Sequence, residues 1–330
     1  MNVMEHAVFR RFWYPVMPMS ELKQGPRRFE LLGQALALFL DDDGVPAALE
    51  DRCCHRTARL SLGEVCDNAI ACPYHGWRYN REGQCVLVPQ MPDRDPGPKR
   101  RVKAFSCREK YGYAWVALEQ PLFDIPDFPE AVDDSFVLIH EFYEEWRVSG
   151  LRVMENELDM AHPSYVHLGT FGSPEHLVAE DAKIEEFPGG FHYTGRLGVK
   201  QAHHAQDRNN ERFLDCSWYA PFICRLRINY ADGPAHVIIN CQVPLAHNRS
   251  QVVQFCFQED DGTGIDEAAI LAFDRKVTLE DKHVLESTDA DVPLDPRDER
   301  HMVSDKPGLV MRRMIQALIE DHETRAVTFQ

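Results

Sequence analysis

A chain of 330 residues, 44% hydrophobic and 27% charged, can bury one large core or two ordinary ones, and two domains is the better expectation. Its formal net charge of -17 argues against a nucleic-acid partner, which needs a basic surface to displace counterions. Apolar runs such as Ala35–Leu40 stop far short of the roughly 20 residues of a spanning helix, and Glu5, Arg10 and Arg11 break any secretory pattern, so a cytoplasmic protein away from membranes is expected.

Residues 31–118 read as strand-rich. Ala35–Leu40, the turn Asp41-Asp42-Asp43-Gly44 and Val45–Leu49 predict a hairpin. It delivers Cys53-Cys54-His55, and sixteen residues later comes Cys72-Pro73-Tyr74-His75. Each half puts a cysteine ahead of a histidine, so Cys53 and Cys72 can hold one iron while His55 and His75 hold the other. That is the ligand set of a Rieske 2Fe-2S centre, in which neutral imidazoles replace two thiolates and raise the reduction potential. A structural zinc ion is the other reading, but zinc sites favour paired cysteines followed by paired histidines, whereas here the types alternate within each half. Gly76-Trp77-Arg78-Tyr79 and then Gly83 predict a second hairpin whose aromatics shield the cluster. The other eight of the ten cysteines lack framework spacing and are expected to be reduced.

Lys99-Arg100-Arg101-Val102-Lys103 follows a proline-rich run. It reads either as solvated surface or as a docking patch for an acidic electron donor. Tyr111–Leu118 predicts a buried strand that closes the first domain, and Pro121–Pro129 a linker. The domains expected are therefore residues 1–130 and 131–330.

Beyond the linker, Asn156, Asp159 and His162 stand three apart, which on a helix places them on one face. His167 lies five beyond His162, and Pro163 between them permits a bend that brings the imidazoles together. Two histidines and a carboxylate with open positions make the facial triad of non-haem iron(II) sites; a helix start with incidental histidines is the plainer alternative. The carboxylate is expected from a helix over 266–287, where Asp281 falls on the stripe of Ile270, Phe273, Val277 and Val284. Asp274 is the second choice, and a buried ion pair to an arginine the structural alternative. Substrate contacts are expected from strands within Phe213–Tyr230 and His236–Pro244, with Asn240 as a polar contact. His203-His204 sits in a polar stretch and reads as surface loop.

Over almost its full length the chain resembles the oxygenase alpha subunits of the Rieske non-haem iron oxygenases. The resemblance is carried by Cys53-Cys54-His55-Arg56, Cys72-Pro73-Tyr74-His75-Gly76-Trp77, Asn156-x2-Asp159-x2-His162-x4-His167, and Glu280-Asp281-Lys282 before Val284-x-Glu286. Ser304-Asp305-Lys306-Pro307 leading to Arg312-Arg313 is similar to short members that demethylate or hydroxylate heteroaromatic compounds and alkaloids. Cys54 departs from the commoner Pro or Ala and is expected not to ligate. The resemblance implies an α+β protein: an all-β Rieske domain, then a helix-grip domain in which an antiparallel sheet wraps a long helix. It implies a 2Fe-2S cluster on Cys53, His55, Cys72 and His75, and one mononuclear iron(II) on His162, His167 and Asp281. Asp159 and Asn156 are implied in catalysis, with Asp159 bridging His75 of one chain to His162 of the next in a trimeric ring. Electrons from NADH or NADPH would arrive through a reductase or ferredoxin, and dioxygen would hydroxylate or N- or O-demethylate a small substrate. Two other classes stay open on the residues alone: a Rieske electron carrier without oxygenase chemistry, and a zinc-stabilised ligand-binding protein.

Overall fold

The computed structural model describes residues 2–175, 177, 180–198, 211–229 and 233–328, which excludes His203-His204 and Tyr230. The chain divides into two compact units, Phe9–Asp124 and Met1–Val8 with Ile125–Gln330. The division at 124/125, rather than 130, has a packing cause. Ile125 and Phe128 are buried, and the Phe128 ring lies 6.2–6.4 Å from those of Tyr219, Phe255 and Phe257, so the proline-rich stretch is packed structure and not a free linker.

The first unit is all β apart from single turns of helix. Strands β1 (Tyr14–Pro18), β2 (Arg27–Leu31), β3 (Gln34–Leu40) and β4 (Pro46–Glu50) precede the ligand loops; β5 (Glu64–Cys66), β6 (Ala69–Ala71), β7 (Arg78–Tyr79) and β8 (Cys85–Leu87) surround them; β9 (Ala104–Lys110) and β10 (Tyr113–Ala117) close the unit. They form a six-stranded sheet, β1-β10-β9-β4-β3-β2, and a four-stranded sheet, β5-β6-β7-β8. Ala37, Phe39 and Leu49 pack with Leu60, Ile70 and Tyr79 in a core that also takes in Cys53 and Cys72, so both cysteines are anchored by apolar burial.

The second unit is built on a seven-stranded antiparallel sheet in the order β11-β17-β16-β15-β14-β13-β12. Its strands are β11 (Phe136–Trp146), β12 (Glu180–Phe187), β13 (Gly190–Gly198), β14 (Glu211–Tyr219), β15 (Ile223–Asn229), β16 (His236–Ala246) and β17 (Arg249–Glu259). Strands β16 and β17 are buried along nearly their whole length, so they show no in–out alternation. After the four-residue α1 (Met19–Leu22), the helices are α2 (Gly150–Leu158), α3 (Pro163–Val166), α4 (Glu267–Leu285) and α5 (Lys306–Thr328). In α5, Met311, Ile315 and Ile319 recur four apart and are buried. Asp266 caps α4, its side chain accepting from the Ala269 amide at 3.0 Å. The stripe expected on α4 is offset: Asp274, Thr278 and Leu285 are buried, whereas Val284 is exposed. Ile270, Phe273, Val277 and Asp281 are turned to a cavity instead of to packed side chains. Among the described residues no helix is long and apolar enough to cross a membrane.

Glu130 is almost wholly buried and takes Arg225 Nη2 at 2.5 Å and Arg227 Nη1 at 3.1 Å, which hold its carboxyl below the usual range against the upward push of burial. Removing one member strands a buried charge, so Glu130→Ala is expected to lower unfolding stability by about 3–5 kcal/mol in urea melts.

Candidate active site

The two ligand loops of the first unit share one conformation. Cys53 N–H donates to Ala58 O and Cys72 N–H to Trp77 O, each five residues on and each at 2.8 Å. Thr57 N–H donates back to Cys53 O and Gly76 N–H to Cys72 O, four residues back. The donating residue is left-handed in both, Thr57 at φ 59° and Gly76 at φ 72°, which is the conformation a glycine takes without strain. The same backbone turn brackets both loops, with His55 two residues after Cys53 and His75 three after Cys72. The Cys53 and Cys72 thiols are buried against each other, and the His55 and His75 rings lie 4.6 Å apart. His55 Nδ1 is buried with no hydrogen-bond partner, so this donor set fits the cluster. His55 stacks on Trp77 at 4.5 Å, and Arg100 caps the other ring at 5.7 Å. Tyr79 Oη lies 3.1 Å from Cys53 Sγ and 3.3 Å from the exposed Cys54 Sγ.

In the second unit the helix does not run through the Asn156–Asp159–His162 series. α2 ends at Leu158 and Asp159 is extended, at φ -87° and ψ 122°. Its carboxylate accepts from the amides of Ala161 at 2.8 Å and His162 at 3.1 Å, starting the turn that leads into α3. The bend therefore precedes Pro163, which serves as the first residue of α3, a position where proline costs nothing. Gly172 closes the far side: its amide reaches His167 O at 2.8 Å, and a Cβ there would sit 2.0 Å from Pro163 O.

This path sets His162 Nε2 3.3 Å from His167 Nε2, with Asp281 Oδ1 3.5 and 3.4 Å from them. The corners of such a triangle lie about 2.0 Å from its centre, the range of metal–imidazole bonds, so the three atoms fit a single ion. His167 and Asp281 are held by hydrogen bonds from behind, and His162 faces a carboxylate. Glu280 Oε2 holds His167 Nδ1 at 3.0 Å and also accepts from Thr170 Oγ1; Asn156 Nδ2 donates to Asp281 Oδ1 at 3.0 Å; Asp159 Oδ2 faces His162 Nδ1 at 3.7 Å. Burial keeps His167 below the ordinary imidazole range despite Asp281, which favours the neutral form that a metal needs. Asp274, the second choice for the carboxylate, lies elsewhere: it pairs with His236 Nε2 at 3.0 Å, because seven residues along α4 is two turns away.

The triad opens on a cavity of about 360 Å³ lined also by Phe171, Leu226, Ile228, Ile238, Phe273 and Val277. Asn240 lines it and donates to Glu157 Oε2 at 2.8 Å. Burial, and then the Asp281 carboxylate, push Glu157 up to about 8.

Residues 12–106 match the Rieske [2Fe-2S] domain, and residues 146–321 match the vanillate O-demethylase oxygenase C-terminal domain. The chain belongs to the Rieske non-haem iron oxygenases. It is 32% identical to methylxanthine N1-demethylase NdmA of Pseudomonas putida, across 99% of this chain and 93% of that protein. The structure of NdmA with caffeine superposes with a TM-score of 0.85 at 30% identity, covering 96% of this chain and 93% of the other. Dicamba monooxygenase, at 22% identity and a TM-score of 0.80, shares the fold, covering 96% and 99% of the two chains. The oxygenase thus has the α+β architecture of an all-β Rieske domain and a sheet-and-helix domain, and its cofactors are a Rieske cluster and a mononuclear iron. Sequence reasoning passed over Glu280 and Glu157 as parts of this site. Glu280 sits directly before Asp281, and a carboxylate pair there was a usable signal; Glu157 had none, because its pocket-facing position depends on where α2 ends.

Proposed function

We propose that Cys53, His55, Cys72 and His75 hold the cluster, that His162, His167 and Asp281 hold the iron, and that the enzyme hydroxylates or N- or O-demethylates a small heteroaromatic or alkaloid in the cytoplasm. The observation that carries this reading is the oriented triad opening on a cavity walled in part by Phe171, Leu226, Ile228, Ile238, Phe273 and Val277. When bound, the iron supplies dioxygen activation at its open positions, drawing on electrons from the cluster. The chain's own residues do the rest. Glu280 and Asn156 fix the ring of His167 and the carboxylate of Asp281; Asp159 sets its charge facing the outer nitrogen of His162 and links it to His75 of a neighbouring copy in a trimer; the apolar part of the wall packs against the substrate and Asn240 orients it. An N- or O-methyl group hydroxylated at its carbon gives a hemiaminal or hemiacetal, whose C–N or C–O bond breaks to release formaldehyde and the free N–H or O–H compound, whereas other C–H positions yield a stable alcohol.

Anaerobically purified protein is expected to contain about three irons and two sulfides per chain, and to take up oxygen with NADH and a surrogate reductase. Two irons would leave an electron carrier, and zinc without sulfide a ligand-binding protein. Formaldehyde release across a panel of N- and O-methyl compounds then separates demethylation from hydroxylation.

The reductase is assigned to the basic segment beside the cluster. Lys99, Arg101 and Lys103 are exposed, and Arg100 lies on Trp77 against His55. Reversing Lys99 and Arg101 to Glu is expected to slow reduction by the protein donor about tenfold at low salt while leaving dithionite reduction unchanged. Equal donor rates would remove this surface from the pathway.

A further inference from the structure

Two helical turns from the iron triad, the same cavity ends at the Asp274 carboxylate and the histidine paired with it. His236, Ile238 and Asn240 alternate along β16 and so present one face to the cavity. His236 and Asp274 are both buried, at 7% and 6% exposure, and their bond is fixed by its neighbours. Gln258 donates from Nε2 to the carbonyls of Ala235 and Glu259, which leaves its Oε1 to face His236 Nδ1 at 2.9 Å. Nδ1 must therefore carry a proton. Nε2, facing Asp274 Oδ2 at 3.0 Å, then shares a second proton with that carboxylate, so the pair is an imidazolium against a carboxylate. Glu141 and Cys256 lie behind, where Gln254 donates to Glu141 Oε2 and Glu141 Oε1 is buried without a hydrogen-bond partner.

A second acceptor stands at the inner end. Asn240 is 5% exposed and its Oδ1 is buried with no partner, although its Nδ2 is spent on Glu157. An orphaned buried carbonyl carries a penalty that a ligand donor would relieve. Among the described residues that line the cavity there are eight acidic side chains and neither lysine nor arginine. Along α4, Asp274 and Asp281 are separated by about 10 Å of axial rise, with Phe273 and Val277 between, the span of a fused bicyclic ring with one substituent.

We infer that the substrate is a nitrogen heterocycle or amine that presents an N–H or ammonium donor to Asp274 while its reacting carbon lies at the iron triad, and that carboxylates and sulfonates are refused. The inference rests on the oxygenase reading for which end reacts, and its charge preference is tested apart from turnover. Calorimetric titration of the anaerobic holoenzyme uses three probes on one ring frame: tryptamine, 3-methylindole and indole-3-propionate. Tryptamine is expected to bind at least about tenfold more tightly than indole-3-propionate, with 3-methylindole between them, and Asp274→Asn to cut that ratio to about threefold or less. Equal or tighter binding of the propionate, absence of binding by all three, or full selectivity in a folded Asp274→Asn variant overturns it. Should that variant misfold, the wild-type order of the three probes decides the matter. Iron content and oxygen uptake, read on the same sample, report on the oxygenase reading independently.

Discussion

Asp159→Asn is expected to leave both metal centres filled and steady-state turnover at about one hundredth or less, a loss of the size that supporting carboxylates beside metal-bound histidines produce. The substitution keeps the side chain's size and one of the two oxygens that accept the Ala161 and His162 amides, and removes the negative charge facing His162 Nδ1. That charge holds His162 above its ordinary imidazole range in spite of burial, and it is the anchor proposed for the neighbouring His75. Product formed in one turnover from fully reduced enzyme should persist while oxygen uptake under continuous reduction fails. Near-normal continuous uptake with iron intact would remove Asp159 from the electron path.

The second large effect is expected at Asp281. Asp281→Ala takes away the one anionic corner of the triangle and leaves two imidazoles 3.3 Å apart, with Asn156 Nδ2 deprived of its acceptor. Total iron should fall from about three to about two per chain, the cluster's visible spectrum should remain, and substrate oxidation should drop by about a thousandfold or more. The readouts are metal analysis and product quantitation after anaerobic iron reloading. A variant that keeps its third iron would place the anionic ligand on another residue, with Glu157 in the cavity wall a candidate.

The cysteine–histidine clusters were legible because cluster ligation restricts residue type and local spacing, and both are one-dimensional properties. The same holds for the hairpin of β3 and β4, for the helix α4 and for the apolar face of α5, since strand and helix periodicity are written within a few residues of the position they govern. Asp281 could be nominated because a carboxylate on a half-apolar helical stripe needs a partner.

Periodicity put Asp281 ahead of Asp274 but could not show which of them meets the histidines. Both sit on α4, and which one meets His162 and His167 depends on how far along the helix α3 packs, a matter settled by contacts between residues more than a hundred apart. The break at Asp159 was hidden for the same reason: the Asn-x2-Asp-x2-His spacing suits a continuous helix, and only the side chain's hydrogen bonds to two amides end it there. Ligand chemistry and element type were thus set by the amino-acid order of this protein, because they arise from near neighbours. The ring orientations held by Glu280 and Asn156, the orphaned acceptor on Asn240 and the His236–Asp274 wall were decided by the tertiary structure, because hydrogen-bond partners across a cavity are chosen by packing and not by distance along the chain.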